Sequence, residues 1–333
     1  MKHLKQYSFI FLLFIAALSQ LSCKKNNAQV IPSFYYFKTT GSYKDYEVQL
    51  SKDFPKHRIY QKILDIGEML EPLAINDVVC GDVENVEVVP TVFIKNNAFS
   101  NPDSVEITKL AQRIVKNLKG KPKELQIDCD WTSSTKDNYF YFLLMVKKAN
   151  PVLTLSATIR LYPFKYKEKM GIPPVDRGML MVYNVSKMND VATPNAILDF
   201  EEAEKYIKGG SYPLPLDLAL PIFSQGVVFR DNKMIALLKE FDGAMANTQT
   251  YLQKSKDNRY AFVADTVVAG HFFRVGDLLR TEDISNETLE KTAKLVSKNI
   301  ALNGPFHVAF YHLDDATLKK YDAKIMNTVF RQF

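Results

Sequence analysis

What most limits the folds open to this chain is an alternation that runs through most of it. Short runs rich in β-branched and aromatic residues recur, and segments with helical periodicity lie between several of them. Eight runs read as strands: 34–38, 58–63, 86–95, 124–131, 152–162, 178–185, 213–221 and 306–312. Between them, 104–119 sets Ile107, Leu110, Ile114 and Leu118 on one helical face and stops at Gly120. Helices are also predicted over 137–149, 196–208 and 286–302, with weaker crossovers at 43–54 and 165–171. The segment 260–281 reads as strands inserted between the seventh and eighth runs. Strand–helix alternation of this kind makes an α/β fold with a parallel sheet. Eight strands in succession favour closure into a single (β/α)8 TIM-type barrel over an open doubly wound sheet, and no glycine-rich nucleotide loop follows the first run.

The N-terminus reads as a targeting segment outside that fold. Lys2, His3 and Lys5 give a basic start, and Phe9 to Leu18 is an unbroken apolar run. It is too short for the roughly 20 residues that cross a bilayer and suits a secretory signal. Leu18-Ser19-Gln20-Leu21-Ser22-Cys23 resembles a bacterial lipoprotein box, with Gln20 where the motif usually has Leu, and this makes Cys23 the expected lipidation site. The expected organisation is a signal peptide over 1–22, a lipid-anchored tether over 23–32 and a barrel domain over 33–333. Export to the cell envelope follows, with the lipid holding the chain to the outer membrane. The net charge of +6 is small for 333 residues and no Lys/Arg run exceeds two, so nothing points to a nucleic-acid partner. Cys80 and Cys129 lack metal-site spacing, and the sequence leaves open whether they pair. No cofactor or metal motif is present.

The run Leu125-Gln126-Ile127-Asp128-Cys129-Asp130-Trp131 holds the chemistry. Side chains alternate along a strand, so Asp128, Asp130 and Thr132 are expected on one face and Ile127, Cys129 and Trp131 on the other. In a barrel the apolar set packs under the helices, leaving two carboxylates and a hydroxyl facing the interior near the C-terminal rim. Such carboxylates raise each other's pKa and need either a function or a counter-charge. Arg160 is expected on the inward face with Ser156 and Thr158.

A family resemblance attaches to these residues. Ile127-Asp128-Cys129-Asp130-Trp131-Thr132 looks like the fourth-strand signature of the chitinase-like barrels, glycoside hydrolase family eighteen, and Met181-Val182-Tyr183-Asn184 resembles the sixth-strand motif. Val88-Val89-Pro90-Thr91-Val92-Phe93-Ile94 and Leu216-Asp217-Leu218-Ala219-Leu220-Pro221 look closer still to uncharacterised Bacteroidetes lipoproteins related to that barrel. By position the resemblance implies catalytic roles for Asp128, Asp130 and Tyr183; Thr132, Arg160, Asn184, Asp217 and Gln225 are the expected substrate-binding residues around them. The family's proton donor, a Glu, is Thr132 here, and a hydroxyl does not deliver a proton near neutral pH.

Other acids that could reach the same rim are Asp217, Glu168 and Asp176, although Asp217 could equally balance Arg160. His271, His307 and His312 lack ligand spacing and read as structural. Tyr35, Tyr36 and Phe37 could floor a sugar site or pack the core, and Ser133-Ser134-Thr135 reads as a helix-capping turn. Two readings stay open: an envelope lipoprotein that binds, and in one form hydrolyses, a glycan or glycoconjugate, or a catalytically inactive barrel that binds or assembles in the envelope.

Overall fold

The computed structural model describes residues 29–38, 44–75 and 86–333. The expected signal peptide over 1–22, Cys23 and Cys80 lie outside the described residues. The strands are β1 (Val30–Tyr36), β2 (His57–Ile66), β3 (Pro72–Ile75), β4 (Val86–Ile94), β5 (Glu124–Asp128), β6 (Thr154–Arg160), β7 (Arg177–Met181) and β8 (Leu216–Pro221). Next come β9 (Gln225–Arg230), β10 (Lys233–Lys239), β11 (Leu252–Lys256), β12 (Arg259–Phe262), β13 (Thr266–Val268), β14 (His271–Phe273), β15 (Leu278–Glu282) and β16 (Phe306–Tyr311).

Eight of them close into a parallel barrel in the order β1, β2, β4, β5, β6, β7, β8, β16, because β1 pairs with both β2 and β16. These are the eight runs expected as strands. The antiparallel β3 extends the sheet beside the upper part of β2. The fold is therefore the expected (β/α)8 barrel. β1 begins at Val30, inside the stretch assigned to the tether. Pro32 hides that start in the sequence, since proline cannot donate to a ladder, but pairing to β2 begins only at Ser33.

The barrel's outer surface is apolar because helices cover it. The helix Ser104–Lys116 opens on a reciprocal capping box between Asp103 and Glu106 and buries Ile107, Leu110 and Ile114. The helix Asn286–Asn299 is capped by Ser285 and buries Leu289, Ala293 and Val296. The predicted helix over 196–208 begins only at Phe200, where the Asp199 side chain accepts from the Glu202 N–H.

Inside, polar side chains fill the lower barrel. Arg58 bridges Glu124 at 2.7 Å and Glu87 at 2.6 Å. Tyr35 stacks on Tyr60 and donates to Gln126 Oε1 at 2.6 Å.

The insertion after β8 is larger than expected, spanning 225–282 rather than 260–281. Its five antiparallel strands run β10-β9-β15-β12-β11, and β13 and β14 form a separate hairpin. It has its own small core around Val228, Leu238, Tyr260, Phe262 and Leu279. A buried ion pair on β15 fastens it to the segment after β7. Arg280 Nε meets Glu282 Oε1 at 2.7 Å with both side chains wholly buried, and Arg280 also donates to the Met188 and Asp190 carbonyls after β7.

Candidate functional site

The rim site is built by strand register. Gln126 lies opposite Ser156 and Ile127 opposite Ala157, which puts Glu124, Gln126 and Asp128 beside Ser156, Thr158 and Arg160 on the interior surface. Ser156 Oγ donates to Glu124 Oε1 at 2.6 Å, and Thr158 Oγ1 donates to Asp128 Oδ1 at 2.7 Å. One layer higher, Arg160 Nε stands 3.1 Å from Asp130 Oδ1, while its Nη2 donates to the Trp131 carbonyl at 2.8 Å. Arg160 thus balances Asp130, not Asp217.

The two carboxylates differ in environment. Asp130 has about half of its side chain in solvent, at 51%. Asp128 is half-buried. Burial and the neighbouring Asp130 charge push its carboxyl up to about 7, against the Thr158 hydrogen bond and the Lys62 and Arg160 charges. Asp128 is therefore a carboxyl that can hold or release a proton near neutral pH.

An aromatic wall faces this pair. Tyr183 stacks on Tyr311 with ring centroids 5.4 Å apart and planes at 21°. Phe223 meets both edge-on at 6.2 and 5.6 Å, and Phe37 meets Tyr311 edge-on at 5.4 Å. Burial, and then neighbouring charges that include Asp128 and Asp130, push the Tyr183 and Tyr311 hydroxyls up, so both stay neutral donors. Lys62 lies over the Phe37 ring at 5.5 Å and pairs with Asp65 at 2.9 Å. Of the predicted aromatic run, only Tyr35 and Phe37 join this wall; Tyr36 turns outward against Tyr46.

Several predicted site residues lie elsewhere. Alternation stops at Asp128, the last residue of β5 to pair with β4, so Thr132 does not continue the inward face. Its hydroxyl lies 2.9 Å from Ser134 Oγ and 3.2 Å from Thr135 Oγ1, in the turn that opens the helix Lys136–Ala149. Trp131 is buried as expected, stacked on Tyr139. Asn184 is exposed at φ 54° and lines a surface groove with Glu202 and Tyr206, away from the wall that Tyr183 joins.

Asp217 faces inward but near the N-terminal end of β8, about 13 Å of strand below the rim at Pro221. There it accepts from Arg177 at 2.7 and 3.0 Å and lies 3.0 Å from His307 Nδ1. An Asp130–Asp217 pair across one site is excluded by this placement. Gln225 is buried at the base of the insertion, donating to Glu282 Oε2 at 2.6 Å. Asp176 precedes β7 and accepts from the Leu155 N–H, also at the lower end, while Glu168 is exposed on the short helix Lys167–Met170.

Sequence reasoning missed Lys62, Asp65, Phe223 and Tyr311. Tyr311 was legible as the last inward position after His307 and Ala309. The register shift in β2 between Lys62 and Leu64 hides the other two rim charges from a period-2 reading. It also missed that Glu240, His312 and Asp314 converge, because Glu240 comes from the insertion.

No protein-family model matches the sequence, and no curated protein matches it. Among solved structures, the spore cortex-lytic enzyme SleL of Bacillus cereus superposes with a TM-score of 0.51 at 12% identity, covering 91% of this chain and 75% of that one. A fungal endo-β-N-acetylglucosaminidase of glycosyl hydrolase family 18 follows at 0.45 and 10%, covering 91% and 98%. Active domain 2 of a thermostable chitinase from Pyrococcus furiosus follows at 0.44 and 12%, covering 91% and 96%. The fold implied by the chitinase-like resemblance is the fold observed, a (β/α)8 barrel shared with SleL.

Proposed function

We propose that this chain is an exported, lipid-anchored envelope protein whose barrel mouth binds a glycan or glycoconjugate. The observation that carries the reading is the Tyr183–Tyr311 stack, flanked by Phe223 and set beside Asp128, Asp130 and Arg160. Aromatic faces take up the apolar faces of sugar rings, and charged groups around them fix the hydroxyls. These residues lie at the C-terminal ends of the strands, where barrels of this kind hold their ligands. The fold shared with a cortex-lytic enzyme accords with the reading.

Binding without turnover is favoured over hydrolysis by two details. The hydroxyl of Thr132 is engaged with Ser134 and Thr135 where the resemblance implies an acid, and Asp130 is already neutralised by Arg160. Among the described residues, Asp128, pushed up to about 7, is the rim carboxyl suited to supply a proton for hydrolysis.

A polysaccharide panel read for both binding and released reducing ends tests this. Tyr311→Ala and Asp130→Asn should weaken binding of the best ligand about tenfold or more with no products formed, in line with the loss of a stacking ring or a charged partner. Product release that disappears in Asp128→Asn would make the chain a hydrolase. Absence of any glycan binding by the folded protein would sink the reading.

A further inference from the structure

We propose that Glu240, His312 and Asp314 form a zinc site that fastens the inserted sheet to the barrel rim. His312 directly follows β16, Asp314 caps the helix Asp315–Lys320, and Glu240 directly follows β10, in the insertion. One ligand atom from each lies within 4.8 Å of the other two. An imidazole nitrogen and two carboxylates are a donor set that zinc uses when it keeps one position for water.

Asp314 aims an unsatisfied oxygen into the same spot. The residue is 2% exposed, and its Oδ1 accepts from the Thr317 N–H at 2.7 Å as the helix cap. Its Oδ2 is buried and accepts no hydrogen bond. A buried carboxylate oxygen without a donor is costly and calls for an explanation. That oxygen points at His312, with 3.7 Å between Oδ2 and Nε2. The separation is long for a hydrogen bond, yet close to the roughly 3.4 Å between two ligands held about 2.1 Å from a tetrahedral zinc. Glu240 reaches the same spot from the insertion, so one ion would join two pieces of chain, the end of β10 and the turn after β16.

Charge selects the ion. Lys38, Lys62 and Lys239 lie near His312 and oppose any cation. An ion that gains little from imidazole would not overcome them; calcium and magnesium prefer six or more oxygen ligands. Zinc gains strongly from nitrogen and accepts low coordination.

The test uses the whole chain, stripped of metal with a chelator and titrated with zinc chloride, followed by calorimetry and by melting temperature. Saturable binding of one zinc per chain and a raised melting temperature are expected. Glu240→Gln and His312→Gln should each weaken zinc at least tenfold. Asp314→Asn should do the same while keeping its helix cap, because the amide oxygen still accepts from Thr317. His271→Gln, at an exposed site in the β14 strand, should bind as wild type. No saturable zinc binding to the folded chain, or binding unaffected by Glu240→Gln and His312→Gln, would overturn the proposal. So would calcium binding as tightly as zinc.

Discussion

Asp128 and Asp217 face the same barrel interior, yet they sit at its opposite ends and ionise at opposite ends of the carboxylate range. Burial dominates at Asp128, followed by repulsion from Asp130, and the carboxyl rises to about 7. Burial would raise Asp217 too, but the hydrogen bonds from His307 and Arg177 outweigh it and hold the group at about 2. The signs of their linkage differ. Stability associated with Asp128 is present below its ordinary pKa near 4 and is lost as pH rises towards about 7. Asp128→Asn should therefore melt higher relative to wild type at about pH 8 than at about pH 5, and an equal offset at both values would refute the assignment. Stability from Asp217 is present above about pH 4 and is lost as pH falls through about 2. Asp217→Ala leaves Arg177 and His307 facing an emptied partner and should cost about 3 kcal/mol or more in denaturant unfolding at neutral pH. The inward face of Asp217 was legible in the sequence, but its height was not. The strand was expected from 213, and Pro213 and Pro215 delay it to Leu216, which drops Asp217 to the bottom.

At the scale of elements, legibility followed burial. Barrel strands are covered on both faces, so a stretch such as Leu218-Ala219-Leu220 announces itself as a short apolar run. The insertion was half-missed because β9, Gln225–Arg230, follows β8 almost at once and reads as more of the same apolar strand. Its turn did carry a signal. Asp231 and Asn232 both take positive φ, at 50° and 61°, as a two-residue hairpin turn requires. The link between insertion and barrel was not legible, because Glu282 and Gln225 gain their meaning only from Arg280 and the loop after β7. That link should be separable from the rest. Glu282→Ala leaves Arg280 charged and buried and orphans the Ala196 N–H and the Gln225 amide, a loss of about 3–5 kcal/mol for a broken buried pair. The insertion has its own core, so the loss should appear as faster hydrogen exchange over 225–282 and 186–198, with barrel strands β4 to β6 still protected. Uniformly faster exchange throughout the barrel would show that the two parts are one cooperative unit.

At the scale of the whole molecule, the parallel barrel sorts its two faces by chemistry. Every barrel strand starts at the face that holds Arg58, Glu124, Arg177, Asp217 and His307, and ends at the face that holds the aromatic wall. The chain enters β1 at Val30, so whatever precedes it reaches the molecule at the lower face. In the proposed reading the lipid sits on Cys23, and the few residues before Val30 span at most about 25 Å when extended. If Cys23 carries a lipid, so short a stretch would keep the lower face near the membrane and the mouth away from it. Among the described residues no helix is long and apolar enough to cross a membrane. Cys23→Ser should move the protein from the membrane fraction to the soluble fraction of the envelope. Its glycan affinity, measured on the released protein, should match that of detergent-extracted wild type, because β1 starts at the end of the barrel opposite the mouth. Retention in the membrane fraction would remove the anchor from the reading. A fall in affinity would mean instead that the substitution acts on the mouth, and the two ends would then not be independent.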